Sequence, residues 1–186
     1  MSKVTIINFS GRKNGNCHNI ASVITQTMTA NFEVTVKEMH NLNITPCGRC
    51  EYECFTKTAS CPYKNDDIIG LYNAVCSSNL AIFIIPNYVD YPNANFFIFN
   101  ERGACFFQNN TSLMERYQQT PKKFIVVSNT GRENFEHVFK MHVQDDADIL
   151  FLSPSNYQKS SVKGDLMKSK QARLAVENFV GEINEK

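Results

Sequence analysis

Five short apolar runs, at residues 4–9, 32–37, 80–85, 123–127 and 148–152, alternate with helical patterns along the chain. The helical patterns are carried by Ile20, Val23, Ile24, Thr27 and Met28, then by Ile68, Ile69, Leu71, Tyr72 and Val75, then by residues 93–108, 135–142 and 166–183. Runs this short, bounded by polar turns, read as strands apolar on both faces. Strands that alternate with helices require right-handed crossovers, hence a parallel sheet covered on each side. The expectation is therefore an α/β fold: a three-layer αβα sandwich on a five-stranded parallel sheet of order 2-1-3-4-5, formed by residues 1–186 as one domain. In that order the winding reverses between strands one and three, and a ligand crevice opens at their carboxyl ends. Only residues 100–121, where aromatic and polar residues mix, show no clear period.

Strand one runs directly into Ser10-Gly11-Arg12-Lys13-Asn14-Gly15-Asn16-Cys17-His18, which opens the first helix at that crevice. At a helix start the backbone N–H groups lack intrahelical partners, and the macrodipole places about half a positive charge there. An anion is held there without burying lysines. Ser10 adds a hydroxyl and Arg12 a planar donor fork, while Gly15 lets the backbone turn closely. His18 either donates to the ligand or faces solvent. The spacing is neither Gly-x-Gly-x-x-Gly nor a loop ending in Gly-Lys-Ser/Thr, which excludes the dinucleotide and nucleoside-triphosphate fingerprints and leaves a terminal monophosphate.

Two further loops belong to the same edge. After strand three come Pro86, Asn87, Tyr88 and Val89. Pro86 is expected to end the strand and free the following N–H groups to meet a flat heterocycle, with Tyr88 and Tyr91 offering stacking faces. After strand four come Ser128, Asn129, Thr130 and Gly131, a donor-rich turn that, with Arg132, can stabilise negative charge on a ring edge.

In this order the loops resemble those of the NADPH-dependent FMN reductase-like branch of the flavodoxin-like superfold, over nearly the whole chain. The family's first loop, approximately Ser-x-Arg-x-x-Gly-Asn-Ser/Thr, stands here as Ser10 to Cys17, with Cys17 where a hydroxyl residue is usual. The resemblance implies that this loop holds the FMN phosphate and that Pro86, Asn87, Tyr88, Val89, Ser128, Asn129, Thr130 and Gly131 hold the isoalloxazine. Asn95 to Arg102 is similar to a family helix ending in Asp-Arg, with Asn100-Glu101-Arg102 at that end.

Four of the seven cysteines, Cys47, Cys50, Cys54 and Cys61, crowd into one loop after strand two. Such a set suits a [4Fe–4S] cluster, a tetrahedral zinc, or a structural or redox-active thiol loop. Iron–sulfur flavoproteins of the same superfold carry a cysteine motif here with shorter spacings than the two, three and six intervening residues of this chain. The thiol loop is the favoured reading, and the cluster is not. Asp66 and Asp67 are read as an acidic start to the next helix.

A net charge of +1 with acids and bases interspersed excludes a basic field for nucleic acid and a polybasic membrane anchor. The apolar runs are far short of a membrane span, the N-terminus shows no signal-peptide pattern, and an odd number of cysteines suits a reducing compartment, so a cytoplasmic protein is expected. His40, His137 and His142 form no triad with an acid and a nucleophile. Phe96, Phe97, Phe99, Phe106 and Phe107 mark core or a subunit contact, and the resemblance implies a homodimer. The expected activity is that of an FMN-dependent NAD(P)H oxidoreductase of flavin, quinone or nitro-compound reductase type. NAD(P)H is the co-substrate, a small molecule is the electron acceptor, and the flavin rather than any catalytic side chain carries the chemistry. The alternatives are a flavodoxin-like or iron–sulfur flavoprotein electron carrier, against which the neutral charge argues, and an interaction module that binds no flavin.

Overall fold

The computed structural model describes residues 1–48, 50–55, 61–108, 110–128, 130, 132–141, 143 and 147–182. Its order is β1 (Ser2–Asn8), α1 (Asn16–Met28), β2 (Phe32–Glu38), α2 (Ile68–Cys76), β3 (Leu80–Tyr88), β4 (Tyr91–Pro92), α3 (Ala94–Phe107), α4 (Thr111–Gln119), β5 (Lys122–Val127), α5 (Arg132–Lys140), β6 (Asp148–Leu152) and α6 (Lys170–Gly181). The parallel strands lie in the order β2-β1-β3-β5-β6, the expected 2-1-3-4-5 once the short β4 is set aside.

Strand side chains alternate between two cores. Val4, Ile6, Ile82, Ile84, Ile125 and Val127 pack with Ile20 and Ile24 of α1 and Val176 of α6. Ile7, Phe83, Ile85, Phe124 and Val126 face Leu71 of α2, Phe99 of α3 and Phe135 of α5. Phe96 and Phe99 are fully buried in this second core, which assigns them to packing rather than to a subunit contact.

Two expectations are corrected. The aperiodic stretch contains α4, and because none of its residues is fully buried it carries no core stripe for a period to reveal. Pro86 does not end its strand. Phe9 N–H donates to Ile84 O, so alternate residues of β3 face β1, and β1 has already ended where the missing N–H of Pro86 points. The strand continues to Tyr88 and folds back as β4, with Asn93 N–H donating to Pro86 O over 3.2 Å. The hairpin tip, Val89 and Asp90, has φ of 52° and 66°. Two positive values are what a two-residue primed turn demands, and for a β-branched valine this backbone is strained.

Candidate functional site

The carboxyl ends of β1, β3 and β5 enclose a cavity of about 290 Å³. Its first wall is the loop after β1, shaped by local side-chain bonds. Asn8 Oδ1 accepts from Ser10 N–H over 3.0 Å, Ser10 Oγ accepts from Arg12 N–H over 3.1 Å, and Asn8 Nδ2 is anchored on Glu38 Oε2 at 2.6 Å. These short-range turns use Asn and Ser where a backbone partner is missing. Phe9 O accepts from Asn93 Nδ2 and Asn95 Nδ2, fastening the same loop to the start of α3. Helix α1 then begins after Gly15 with no side chain capping it.

Ser10, Arg12, Gly15, Asn16 and Cys17 line the cavity. Asn16 does so with its amide already committed: Nδ2 donates to Ser160 O at 2.9 Å and Oδ1 accepts from Leu166 N–H at 3.0 Å. Arg12 Nη2 donates to Val162 O at 3.2 Å. Burial, with the charge of Glu38 adding to it, pushes the Cys17 thiol up to about 12, so it is neutral at physiological pH. His18 is not among the lining residues; its Nδ1 lies 3.0 Å from Glu38 Oε1.

The second and third walls are joined by one side chain. Asn87 Nδ2 donates to Ser128 Oγ at 2.8 Å and to Thr130 Oγ1 at 3.3 Å. Pro86, Asn87, Tyr88, Val89, Ser128 and Thr130 all line the cavity. Asn129 and Gly131 lie outside the described residues, as does His142. Arg132 is turned away: its Nε pairs with Glu136 Oε1 at 2.6 Å on the same helix face. Tyr88 and Val89 are largely exposed at the cavity mouth, and Tyr91 is exposed on the adjoining β4.

A fourth wall, absent from the sequence reading, comes from the segment after β6: Pro154, Ser161 and Val162. Asn19 Nδ2 donates to Gly164 O at 2.6 Å, and Gly164, at φ +70°, brings its backbone close to Asn14 O and the Gly15 carbonyl carbon. The available signal was topological. The loop after the last strand leaves from the same sheet edge as the other three, and Ser160-Ser161 followed by Gly164 is turn chemistry.

Among the described residues, no group of three or more His, Cys, Asp and Glu side chains is placed to hold a metal ion. Cys47, Cys50, Cys54 and Cys61 are free thiols. Asp66 is less a helix cap than the partner of Arg102, whose Nη1 sits 2.6 Å from Asp66 Oδ2, although Asp66 Oδ1 also accepts from Ile68 N–H at the start of α2.

The family model described as NADPH-dependent FMN reductase matches residues 2–134. Among solved structures, the Trp repressor binding protein from Bacillus subtilis superimposes with a TM-score of 0.61 at 14% identity, covering 95% of this chain and 97% of that one. The NAD(P)H:quinone oxidoreductase from Methanothermobacter marburgensis gives 0.64 at 10% identity, covering 98% and 99%. FerB, a flavoenzyme NAD(P)H:(acceptor) oxidoreductase from Paracoccus denitrificans, gives 0.52 at 14%, covering 97% and 96%. At these identities the superpositions bear on the fold. No curated protein sequence matches significantly.

Proposed function

The chain belongs to the NADPH-dependent FMN reductase family, and from that premise we propose that the four-walled cavity is its FMN site. The protein is an FMN-dependent NAD(P)H oxidoreductase. What carries the placement is Asn87: its Oδ1 is buried with no hydrogen-bond partner while its Nδ2 ties two walls together. A buried orphan acceptor in a cavity wall fits a ligand that brings an N–H, as the flavin ring does. The uncapped start of α1 fits the other end of FMN, because its free N–H groups and dipole suit a phosphate.

In this reading Ser10, the remaining guanidinium donors of Arg12, and the backbone N–H groups from Gly15 to His18 hold the phosphate. The side chains of Asn16 and His18 contribute by fixing the loop, since each is already bonded elsewhere. Asn87, Tyr88 and Val89 border one edge of the ring, and Ser128 and Thr130 border the other; the resemblance adds Asn129 and Gly131 to that second set. Bound FMN supplies the redox chemistry, taking a hydride from NAD(P)H and passing the electron pair to a second substrate. In this reading the side chains bind, orient and exclude water.

The exposed Tyr88, Val89 and Tyr91 give the mouth an apolar rim, which supports a small, flat acceptor stacking there or a second copy of the chain closing over it. We propose a homodimer on that ground, and a cytoplasmic location because all seven cysteines are free thiols. No helix among the described residues is long and apolar enough to cross a membrane.

The test is titration of the purified protein with FMN, followed by anaerobic addition of NADH or NADPH. Retained flavin that bleaches on adding the nicotinamide supports the site. Rejection of FMN by folded protein overturns it.

A further inference from the structure

Arg102 of α3 is 1% exposed, and its guanidinium is gripped by the loop between β2 and α2. On the edge shared by Nη1 and Nη2 stands the Asp66 carboxylate, 2.6 Å from Nη1 and 3.3 Å from Nη2, and Nη1 also donates to Thr45 O. A guanidinium is planar, so the other N–H of Nη2 points along the edge that it shares with Nε. Tyr63 O at 3.3 Å and Cys61 Sγ at 3.8 Å are the acceptors left for it. The N–H of Nε, on that same edge, is buried with no hydrogen-bond partner. Neither Cys61 nor Arg102 lines the flavin cavity. An orphan donor in a buried cation calls for an acceptor, and the sulfur beside it gains one when an oxygen is added one bond out from Sγ.

We propose that Cys61 is a modification site for hydrogen peroxide, whose product, a sulfenic acid, is held through its oxygen by Arg102 Nε. The Cys61 sulfur bonds to one oxygen of the peroxide, which keeps its hydrogen, and the O–O bond breaks. The other oxygen departs as hydroxide, takes the thiol proton and leaves as water. The sulfur is oxidised by two electrons and the peroxide is reduced. Cys61 is half-buried, which admits a reagent as small as peroxide. Because Asp66 already balances the charge of Arg102, the open donor suits an uncharged oxygen, and the product held there is the sulfenic acid rather than the sulfinate or sulfonate anion.

The whole protein, reduced, freed of reductant and without FMN, is treated with hydrogen peroxide and dimedone, digested and mapped by peptide mass spectrometry. The expected adduct is on Cys61 ahead of the other thiols, is lost in Cys61→Ser, and is prevented when dithiothreitol precedes dimedone. A second series removes peroxide with catalase and adds dimedone after increasing delays. The wild-type label should persist, while that of Arg102→Lys should decay several-fold faster, since lysine still faces Asp66 with a cation but has no Nε edge. The wild-type map needs no variant to fold, and its failure leaves the FMN reading untouched. Label spread evenly over the thiols, label on another cysteine first, a Cys61 disulfide or sulfinic acid in place of the adduct, or equal decay in folded Arg102→Lys would each overturn the proposal.

Discussion

Arg102 and Asp66 form a buried ion pair, Nη1 to Oδ2 at 2.6 Å, with the two side chains 1% and 6% exposed. A charge taken that far from water is tolerated only if its partner and further hydrogen bonds replace the lost solvation. Thr45 O, Tyr63 O and the ring of Tyr63 supply them for Arg102, and the N–H groups of Thr45 and Ile68 for Asp66. The pair therefore fastens the cysteine loop to the helix that also grips Phe9 O behind the cavity.

Asp66→Asn leaves Arg102 buried without its counter-charge, and should cost about 3–5 kcal/mol of stability at neutral pH. Burial alone would push the Asp66 carboxyl up, but the bonds from Arg102, Thr45 and Ile68 outweigh it and hold the group below its ordinary 3.8. The folded protein thus binds fewer protons here than the unfolded chain. Its contribution is complete above pH 3.8 and drains away as pH falls through the lower folded value. Urea unfolding from pH 7 downward should show a shallower acid limb in the variant. Parallel curves would sink the assignment.

Arg12→Ala removes a guanidinium that lines the cavity beside the start of α1. A hydrogen bond to a charged group contributes about 1.5–3 kcal/mol, so FMN affinity should fall roughly 10- to 150-fold. Equilibrium dialysis with FMN and with riboflavin separates the causes: the loss should appear for FMN and be nearly absent for riboflavin, which lacks the phosphate. Equal losses would place Arg12 elsewhere on the ligand.

Local chemistry made much of this readable. The alternation of apolar runs and helical patterns specifies the parallel sheet, and the strand order fixes which loops share an edge, so three of the four walls could be named from residues such as Ser10, Arg12, Asn87 and Ser128. What escaped depends on distant partners. Asn16 reads as a ligand contact until Ser160 and Leu166 are seen to occupy its amide, and a separation of more than a hundred residues leaves no local trace. His18 and Arg132 look free for a ligand but find carboxylates at Glu38 and Glu136.

Gly164→Ala tests the fourth wall. At φ +70° an alanine is strained, and its Cβ would stand 3.4 Å from both Asn14 O and Asn19 Nδ2. The backbone strain alone is worth about 1–2 kcal/mol. Thermal unfolding should drop accordingly, and FMN binding should weaken as well, because Val162 O would shift from Arg12 and Ser161 from the cavity. Lower stability with unchanged FMN affinity would show that the segment packs against the site without shaping it.

Cys17→Ser should trade stability for affinity. Cys17, in the first turn of α1, is 5% exposed, packs in the core and lines the cavity. Its thiol is neutral and a weak donor. A hydroxyl there donates a stronger hydrogen bond, and about 0.5–1.5 kcal/mol from one such bond corresponds to roughly 2- to 12-fold tighter FMN binding. Without ligand the same hydroxyl is buried among apolar groups at a cost of about 1–3 kcal/mol. That deficit should depend on pH in a defined direction. The wild-type thiol ionises near 9 when unfolded but only at about 12 when folded, so the stability it contributes is complete below 9 and is lost as pH rises toward 12. Serine has no such loss, so the gap between the two proteins should narrow above pH 9. Calorimetry of the apo proteins across that range, paired with FMN titrations at pH 7, measures both effects. Weaker FMN binding in the variant would mean that Cys17 faces the core rather than the phosphate.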